Sequence, residues 1–245
     1  MRRHMFRWSP ARIIAGAFGS ISFIGSILLY LPWGHMPGQS ITYVDALYTA
    51  VSALCVTGLS IVDTAAVFNP FGQAILAVLI QVGGLGVSTM GAGVLLMLGR
   101  KVGIRQRNLI HDTMNLDSYS GVVRFLRTLF ATTVFIEVIG AFLGYFVFRR
   151  DYEMMESIGL SIFHSISSFN NAGLTILTKE RSMEMYAEDP FMLILTTALV
   201  FVGGLGFIVI RECWVNRFRW RKLSMHSRVS IFMAVFLLIG GAVLL

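Results

Sequence analysis

Charged residues are scarce in this chain of 245 residues: Asp, Glu, Lys and Arg make up 13% of it, roughly half the share found in soluble domains. Proline is scarce as well, with 5 residues, whereas hydrophobic residues reach 56%. So much apolar sequence excludes intrinsic disorder, which requires low hydrophobicity and high net charge. The composition, with 24 glycines, is typical of a protein with several membrane-spanning helices.

Cysteine is nearly absent too, since the sequence contains only Cys55 and Cys213. Both lie in or beside apolar segments and far apart, which excludes a disulfide framework and a cysteine metal site. We expect both to be small buried residues.

Apolar runs long enough to cross a bilayer, about 20 residues, occur five times. They cover residues 13–31, 71–98, 122–148, 191–215 and 229–245. The first run is longer than the apolar core of a signal peptide, and no small-residue cleavage site follows it. We therefore expect an all-α membrane protein, surrounded by the lipid bilayer, that retains its first helix.

The formal net charge of +7 would indicate a nucleic-acid partner if the basic residues lay on a soluble face. They lie instead between the apolar runs, sixteen of the 20 on one side of the predicted membrane. Because basic residues favour the cytoplasmic side, we predict a multi-pass protein of the plasma or inner membrane. Its N-terminus is expected in the cytoplasm, and no nucleic-acid partner is expected.

Two apolar stretches, residues 44–54 and 157–169, are too short to span. Stretches of about 10–14 residues are typical of re-entrant or buried segments. Each is followed by a polar turn that contains a glycine, at residues 56–59 and 170–174. Irregular backbone at membrane depth is tolerated only where protein or a water-filled cavity surrounds it. Both turns are therefore candidate functional sites.

The short stretches and their turns belong to an internal repeat. At an offset of 115 residues, 46–59 matches 161–174, and Ser52, Gly58 and Leu59 meet Ser167, Gly173 and Leu174. At an offset of 120, the VGGLG sequence of residues 82–86 recurs at 202–206. Two crossings per unit make the repeats parallel.

The predicted fold is therefore an all-α tandem of parallel units, each made of a helix, a short re-entrant helix, a polar glycine turn and a second helix. We predict two complete repeats, at residues 1–116 and 117–224, and the first helix of a third at 225–245.

The turns have the chemistry of a cation site. A helix that dips into the membrane ends with its partially negative pole near the bilayer centre. The turn that follows can present backbone carbonyls, which replace the hydration shell of a permeating cation. Gly58 and Gly173 suit this role because glycine enters left-handed conformations without a Cβ penalty. Neither turn contains a charged residue, as expected of a site that binds an ion and releases it.

The glycines of the two VGGLG segments have a different explanation, because small residues allow close packing of membrane helices. We expect packing or a helix bend at Gly83, Gly84, Gly86, Gly203, Gly204 and Gly206.

Two other functional classes make predictions that differ from those of a cation-conducting pore. A secondary transporter with a substrate or cation site at broken helices is the alternative; it often has inverted repeats and side-chain ligands, whereas these repeats are parallel. A membrane-embedded enzyme requires a nucleophile with a base, or a metal cluster, near mid-membrane, and the sequence places neither there. We therefore do not expect an enzyme.

The residues carry a resemblance to a known family. The sequence DALYTAVSALCVTGL at 45–59, with FGQ at 71–73 and IQVGGLG at 80–86, resembles the first repeat of the Trk/Ktr/HKT superfamily of potassium transporters. SFNNAGL at 168–174 resembles the second repeat. Overall the chain is most similar to the Ktr-type membrane subunit, which translocates the ion.

The resemblance implies potassium uptake through a channel-like pore. It implies that the repeats are built as in potassium channels, each from a helix, a re-entrant pore helix, a filter turn and a second helix. It also implies filter strands formed by Cys55, Val56, Thr57, Gly58, Asn170, Asn171, Ala172 and Gly173. The K⁺ ligands would be the backbone carbonyls of Val56, Thr57, Gly58, Asn171, Ala172 and Gly173. No organic cofactor is expected, and Na⁺ is a candidate coupling or activating ion.

The resemblance further implies a membrane homodimer of the full-length protein, gated by a cytoplasmic ring of nucleotide-binding regulatory subunits. Family members surround one pore with four repeats, whereas this sequence contains two and the first helix of a third. We therefore expect a truncated or partial chain.

Four further side chains, on the span before the second turn, on the short stretch and in the turn itself, are candidates for supporting roles. Glu137 is the one acid deep in a predicted span, where ionisable residues are functional or paired inside the bundle. For His164 we expect a hydrogen-bonded packing role, because no second ligand stands at helical spacing. The amides of Asn170 and Asn171 are expected to brace the filter turn.

Overall fold

The computed structural model describes residues 10–86, 89–90, 122–177, 183–217 and 219–244. Its contacts divide the chain into two compact units, Met1–Arg127 and Thr128–Leu245. In the part of the chain that is described, the regular secondary structure is helical, apart from one isolated antiparallel bridge between His35 and Phe68. The fold is therefore all-α, as predicted.

The first unit contains a long helix followed by a short one and a second apolar helix. Its helices are α1 (Pro10–Tyr30), α2 (Tyr43–Cys55), the single turn α3 (Thr64–Val67) and α4 (Pro70–Leu85). A capping box begins α2, because the Thr42 hydroxyl accepts the Asp45 N–H and the Asp45 carboxylate accepts the Thr42 N–H. The amide oxygen of Asn69 caps α4, with Pro70 in its first turn.

The second unit repeats this order. Most of α5 (Val122–Phe148) belongs to it, followed by α6 (Met154–Phe169), α7 (Pro190–Gly204), α8 (Phe207–Val215) and α9 (Met225–Leu244). An Asp189 carboxylate caps α7 before Pro190, at the position that Asn69 and Pro70 occupy in the first unit. The two predicted short stretches are thus the helices α2 and α6.

Three of the described helices are long and apolar enough to cross a membrane, namely α1, α5 and α9. Their apolar side chains point largely outward: Phe23 of α1, Phe142 of α5 and Phe232 of α9 are each more than half exposed. Lipid is the medium that such surfaces require. The chain is therefore an all-α membrane protein, and three of the five predicted spans are confirmed.

The other two predicted spans are not continuous helices, and the breaks lie at the VGGLG segments, where packing or a bend is expected. The run at 191–215 is broken into α7 and α8, whose axes are bent by 97°. The break lies at Gly206, which has φ +82°. In the run at 71–98, α4 ends at Leu85, where Gly86 also has φ +82°; residues 87–88 and 91–98 lie outside the described part. Hydropathy does not detect such breaks, because glycine interrupts a helix through its backbone and not through polarity.

Each short helix packs closely against its long neighbours. In α2, Ala46, Ala50 and Ala53 are fully buried, and such small residues allow helix axes to approach. In α6, Ser165 lies against Gly140 of α5, where an added Cβ would overlap the serine hydroxyl. This packing determines where the carboxyl ends of α2 and α6, and the turns after them, are placed.

Candidate functional site

The turn after α2 has a defined backbone geometry. Val56 is left-handed, with φ 57° and ψ 42°, and its N–H donates to the Ala53 carbonyl at 3.3 Å. The Thr57 N–H donates to the Ser52 carbonyl at 3.0 Å. These two bonds form a Schellman motif, which ends a helix by reversing the chain. Gly58 then has φ +74°, so the expectation of a left-handed glycine is confirmed.

The turn after α6 has the same geometry. Asn171 is left-handed with φ 58°, and its N–H donates to the Ser168 carbonyl at 3.1 Å. The Ala172 N–H donates to the Ser167 carbonyl at 2.7 Å. Gly173 follows with φ +68°. The sequence repeat is therefore a repeat of backbone conformation, residue by residue.

Sequence reasoning missed the left-handed residues that precede each glycine. A β-branched residue such as Val56 rarely adopts positive φ, and the conformation costs roughly 1–2 kcal/mol relative to glycine. Strain of this kind persists only where the surroundings impose it, and it is concentrated at functional sites. The residue type does not indicate it at Val56, because valine is typical of extended strands; at Asn171 it does, because asparagine is enriched in left-handed conformations at helix ends.

A serine on each short helix holds the turn, a role that sequence reasoning did not assign. The Ser52 hydroxyl donates to the Leu59 carbonyl at 2.5 Å, and the Ser167 hydroxyl donates to the Leu174 carbonyl at 2.6 Å. Both serines are buried. The available signal was the coincidence of serine, glycine and leucine at the same offset in the two repeats.

The glycines of the VGGLG segments act in two ways. At Gly83 an added Cβ would overlap the Leu54 carbonyl, and at Gly203 it would overlap the Phe169 carbonyl. The backbones of α4 and α7 therefore lie directly against the last turns of α2 and α6. Gly86 and Gly206, both with φ +82°, end or break the helix. For these four glycines, packing and bending are confirmed.

Backbone carbonyls are the main polar groups that the two turns offer. The carbonyls of Val56, Thr57 and Gly58 accept no hydrogen bond from any residue that the structure describes. Within the described ranges the same holds for Asn171, Ala172 and Gly173. Chemically, each turn therefore presents a short row of neutral oxygen ligands, the donor type that K⁺ prefers in channels.

The side chains of the predicted filter residues differ between the units. Cys55 is exposed, so the prediction that it is buried is wrong, whereas Cys213 is buried as predicted. Cys55 is the last residue of α2, where the chain begins to reverse, and its side chain is not buried against any neighbouring helix that the structure describes. Asn170, at the matching position of the second unit, is buried.

The amides of the second turn contact neighbouring helices. Asn170 Nδ2 donates to the Ile166 carbonyl at 2.9 Å and to Glu137 Oε1 of α5 at 3.2 Å. Once its oxygen and nitrogen are assigned to suit both neighbours, Asn171 donates to the Val200 carbonyl and accepts from the Gly204 N–H, each at 3.3 Å. Glu137 is therefore paired with the residue that begins the turn, one of the two roles expected for it.

His164 makes the packing contacts expected of it. Its Nε2 lies 3.1 Å from Thr196 Oγ1 and 3.3 Å from Ser168 Oγ, and its ring packs edge-on against Phe148. Among the described residues, no group of three or more His, Cys, Asp or Glu side chains could hold a metal ion.

Charged groups near the start of α7 lie outside the turns. Asp189 accepts an Arg150 hydrogen bond at 2.7 Å. The N–H of Met192 lowers the pKa of Asp189 from its usual value; partial desolvation opposes this, and the Phe191 N–H and Arg150 reinforce it. In the first unit, Asp63 caps α3 by accepting the Ala65 and Ala66 N–H groups.

Comparison with known proteins identifies relatives across almost the whole chain. Residues 10–241 match the family model described as TrkH, cation transport protein. The potassium/sodium uptake protein NtpJ of Enterococcus hirae is 36% identical over 238 residues, which are 97% of this chain and 52% of that protein. The Ktr system potassium uptake protein B of Bacillus subtilis is 34% identical over 225 residues, 92% of this chain and 49% of that protein.

A second Ktr system potassium uptake protein B, from Vibrio alginolyticus, is 35% identical over 250 residues, covering 99% of this chain and 53% of that protein. The chain thus spans about half the length of the curated relatives that it matches. Because the family model covers nearly all of the sequence, the chain belongs to the TrkH family of cation transport proteins.

Proposed function

We propose that this chain forms part of a potassium-uptake pathway, in which each unit contributes one strand of a selectivity filter. The strands are residues 55–58 and 170–173. Their carbonyls at Val56, Thr57, Gly58, Asn171, Ala172 and Gly173 are the proposed K⁺ ligands. The observation that carries the proposal is that the same strained turn is built twice, each time with three carbonyls that no described residue uses.

The electrostatics of the turns support a cation as the ligand. The turns follow the carboxyl ends of α2 and α6, where the helix dipole places a partial negative charge. Backbone carbonyls that accept no hydrogen bond from a described residue add neutral oxygen atoms with partial negative charge. The charge that a permeating ion meets is therefore partial, which allows both entry and release.

The relatives support potassium as the transported ion, since three of them are named as potassium uptake proteins. One of these names also includes sodium, so we retain Na⁺ as a second candidate ion, coupling or activating. The proposed location is the plasma or inner membrane with a cytoplasmic N-terminus. The proposed partners are a second copy of the full-length protein and a cytoplasmic ring of nucleotide-binding subunits, as the family resemblance implies.

Ion flux through this chain is the direct test. The chain would be joined to the half of the Bacillus subtilis relative that the match leaves out, and produced in a host that lacks potassium uptake. Growth at low K⁺ and uptake of K⁺ against competing Na⁺ would be measured. We expect the fusion to restore growth with a preference for K⁺. A fusion that is present in the membrane but carries no cation flux would contradict the proposal.

Glycine substitutions in the same fusion test the filter strands. We expect Gly58→Ser and Gly173→Ser each to reduce the preference for K⁺ over Na⁺, because serine is strained at positive φ and displaces the neighbouring carbonyls. Gly38→Ser is a matched control, since Gly38 has φ +81° but lies in open space outside both turns. Equal selectivity of all three variants would contradict the assignment of the strands.

A further inference from the structure

Ser52 contacts the filter strand on both sides of its glycine. Its backbone carbonyl accepts the Thr57 N–H at 3.0 Å, and its hydroxyl donates to the Leu59 carbonyl at 2.5 Å. Gly58 lies between these two attachments. The hydroxyl is also 3.0 Å from Thr57 Oγ1, which adds a third contact to the same segment.

Ser167 makes the equivalent pair of contacts in the second unit. Its carbonyl accepts the Ala172 N–H at 2.7 Å, and its hydroxyl donates to the Leu174 carbonyl at 2.6 Å. Gly173 lies between them. The arrangement therefore occurs twice, although the residues beside it differ: Val56 and Thr57 in one turn are replaced by Asn171 and Ala172 in the other.

Both serines are well placed to restrain the strand. Ser52 is 4% exposed and Ser167 is 3% exposed. The Ser167–Leu174 bond is buried and the Ser52–Leu59 bond is partly buried, so loss of either hydroxyl removes an interior partner of the carbonyl, and the loss is more complete at Leu174. The two attachments are the N–H of the residue before the glycine and the carbonyl of the residue after it. The proposed ligand carbonyls lie at or between these points.

We infer that Ser52 and Ser167 are positioning residues that set the ion selectivity of the filter. The inference rests on the proposed function, because it assigns the serines to the proposed filter strands. Each serine acts through the strand and not on the ion. Its hydroxyl directs the Leu59 or Leu174 carbonyl toward the helix, which keeps the preceding carbonyls in one orientation.

The test uses the fusion described above, with Ser52→Ala and Ser167→Ala made separately. A net hydrogen bond is worth about 1 kcal/mol, so we expect each variant to lose about five- to tenfold in preference for K⁺ over Na⁺. Ser52→Thr and Ser167→Thr keep a hydroxyl and should restore most of the preference. The amount of protein in the membrane and its thermal unfolding would be measured alongside.

Two serines provide matched controls. Ser161 lies on α6 but donates to the Ile158 carbonyl of its own helix, and Ser60 lies beyond the first turn and donates to the Val62 carbonyl. Alanine at either position should leave selectivity unchanged. A merely structural role for Ser52 and Ser167 would lower stability and protein level without a change in the K⁺ to Na⁺ ratio.

The outcomes separate this inference from the proposed function. If the unsubstituted fusion is selective and the Ser→Ala variants remain equally selective, only the serine inference is overturned. If the unsubstituted fusion carries no selective flux, the proposed function and the inference fail together. Loss of selectivity in the Ser→Ala variants, with recovery in the Ser→Thr variants, would support both.

Discussion

The two turns share a backbone but differ in the side chains that support it. In the second unit, Glu137 of α5 binds Asn170, and Asn171 binds α7. The matching residues of the first unit are Ser22, Cys55 and Val56, and within the described ranges their side chains make no hydrogen bond. The comparison shows that the serine contacts and the left-handed glycine are common to both turns. The side-chain hydrogen bonds from the turn to α5 and α7 occur only in the second unit.

A second difference lies at the start of the helix that follows each turn. The Asn69 amide donates to the Trp33 and His35 carbonyls at 2.8 and 3.1 Å. In the second unit, Asp189 corresponds to Asn69 at the offset of 120 residues, and Arg150 corresponds to His35 at the offset of 115 residues. A neutral amide contact in one unit is thus an ion pair in the other, while the capping of the helix is the same.

The largest expected effect tests the feature that the units share most closely. Gly83→Ala and Gly203→Ala should each destabilise the protein strongly, because the added Cβ overlaps a backbone carbonyl that cannot move aside. We expect a loss of about 3 kcal/mol or more, at the upper end of the cost of overpacking. Thermal unfolding of the purified protein in lipid nanodiscs measures it.

Gly159→Ala is the control, since nothing lies within 4 Å of the added carbon; we expect little change or a slight gain in stability. A strong effect at only one of Gly83 and Gly203 would show that the two units are not equivalent at this contact.

Removal of the acid specific to the second unit should have the next largest effect. Glu137→Ala removes the side-chain oxygen that accepts from Asn170, and a buried polar group left without its partner costs about 1–3 kcal/mol. Glu137→Gln retains an acceptor and should lose less. Ser22→Ala, at the matching position of the first unit, should have little effect. Unfolding temperatures of the three variants would be compared, and equal effects of Ser22→Ala and Glu137→Ala would show that the support is not specific to the second unit.

Glycine at the left-handed positions sharpens the comparison further. Val56→Gly relieves the strain of positive φ while it adds backbone entropy to the unfolded chain, so we expect a change in stability close to zero. Asn171→Gly relieves less strain, because asparagine adopts positive φ more readily than valine, and it loses two amide contacts, so we expect a loss of about 1 kcal/mol. Chemical or thermal unfolding of both variants measures the difference, and a larger loss for Val56→Gly would reverse this interpretation.

The smallest expected effect concerns pH. The pKa of Asp189 is lower in the folded protein than its ordinary value, chiefly because the Met192 N–H binds the carboxylate. The carboxylate therefore stabilises the fold at pH values above its unfolded-state pKa, and this contribution is lost as the pH falls through the folded-state pKa. We expect acidification below pH of about 4 to lower the unfolding temperature more in the wild-type protein than in Asp189→Asn.

Asn69→Ser is the matched control, because the first unit has no ionisable group at this position and its pH profile should equal that of the wild type. Identical profiles of the wild type and Asp189→Asn would show that the negative charge of Asp189, with its backbone hydrogen bonds and its ion pair to Arg150, contributes nothing measurable to stability.

Much of the fold follows from hydropathy and local signals. The bounds predicted for the short helices, 44–54 and 157–169, lie within one to three residues of α2 and α6. The runs that form α1, α5 and α9 are continuous and apolar. Because a single segment in lipid can satisfy its backbone hydrogen bonds only as a helix, these runs are predicted to be helical. Gly58 and Gly173 were predictable as left-handed residues because each lies in a polar turn directly after a short apolar stretch that is expected to be helical.

The all-α membrane class, the duplication, the position of each turn and the bend near Gly206 therefore follow from the sequence alone, because these depend on composition, length and local backbone preference. Other features depend on the tertiary structure. Val56 is left-handed against its local preference, and Cys55 is exposed because it ends α2 where the chain reverses. The roles of Ser52 and Ser167 likewise depend on a carbonyl seven residues away that only the chain reversal brings within reach.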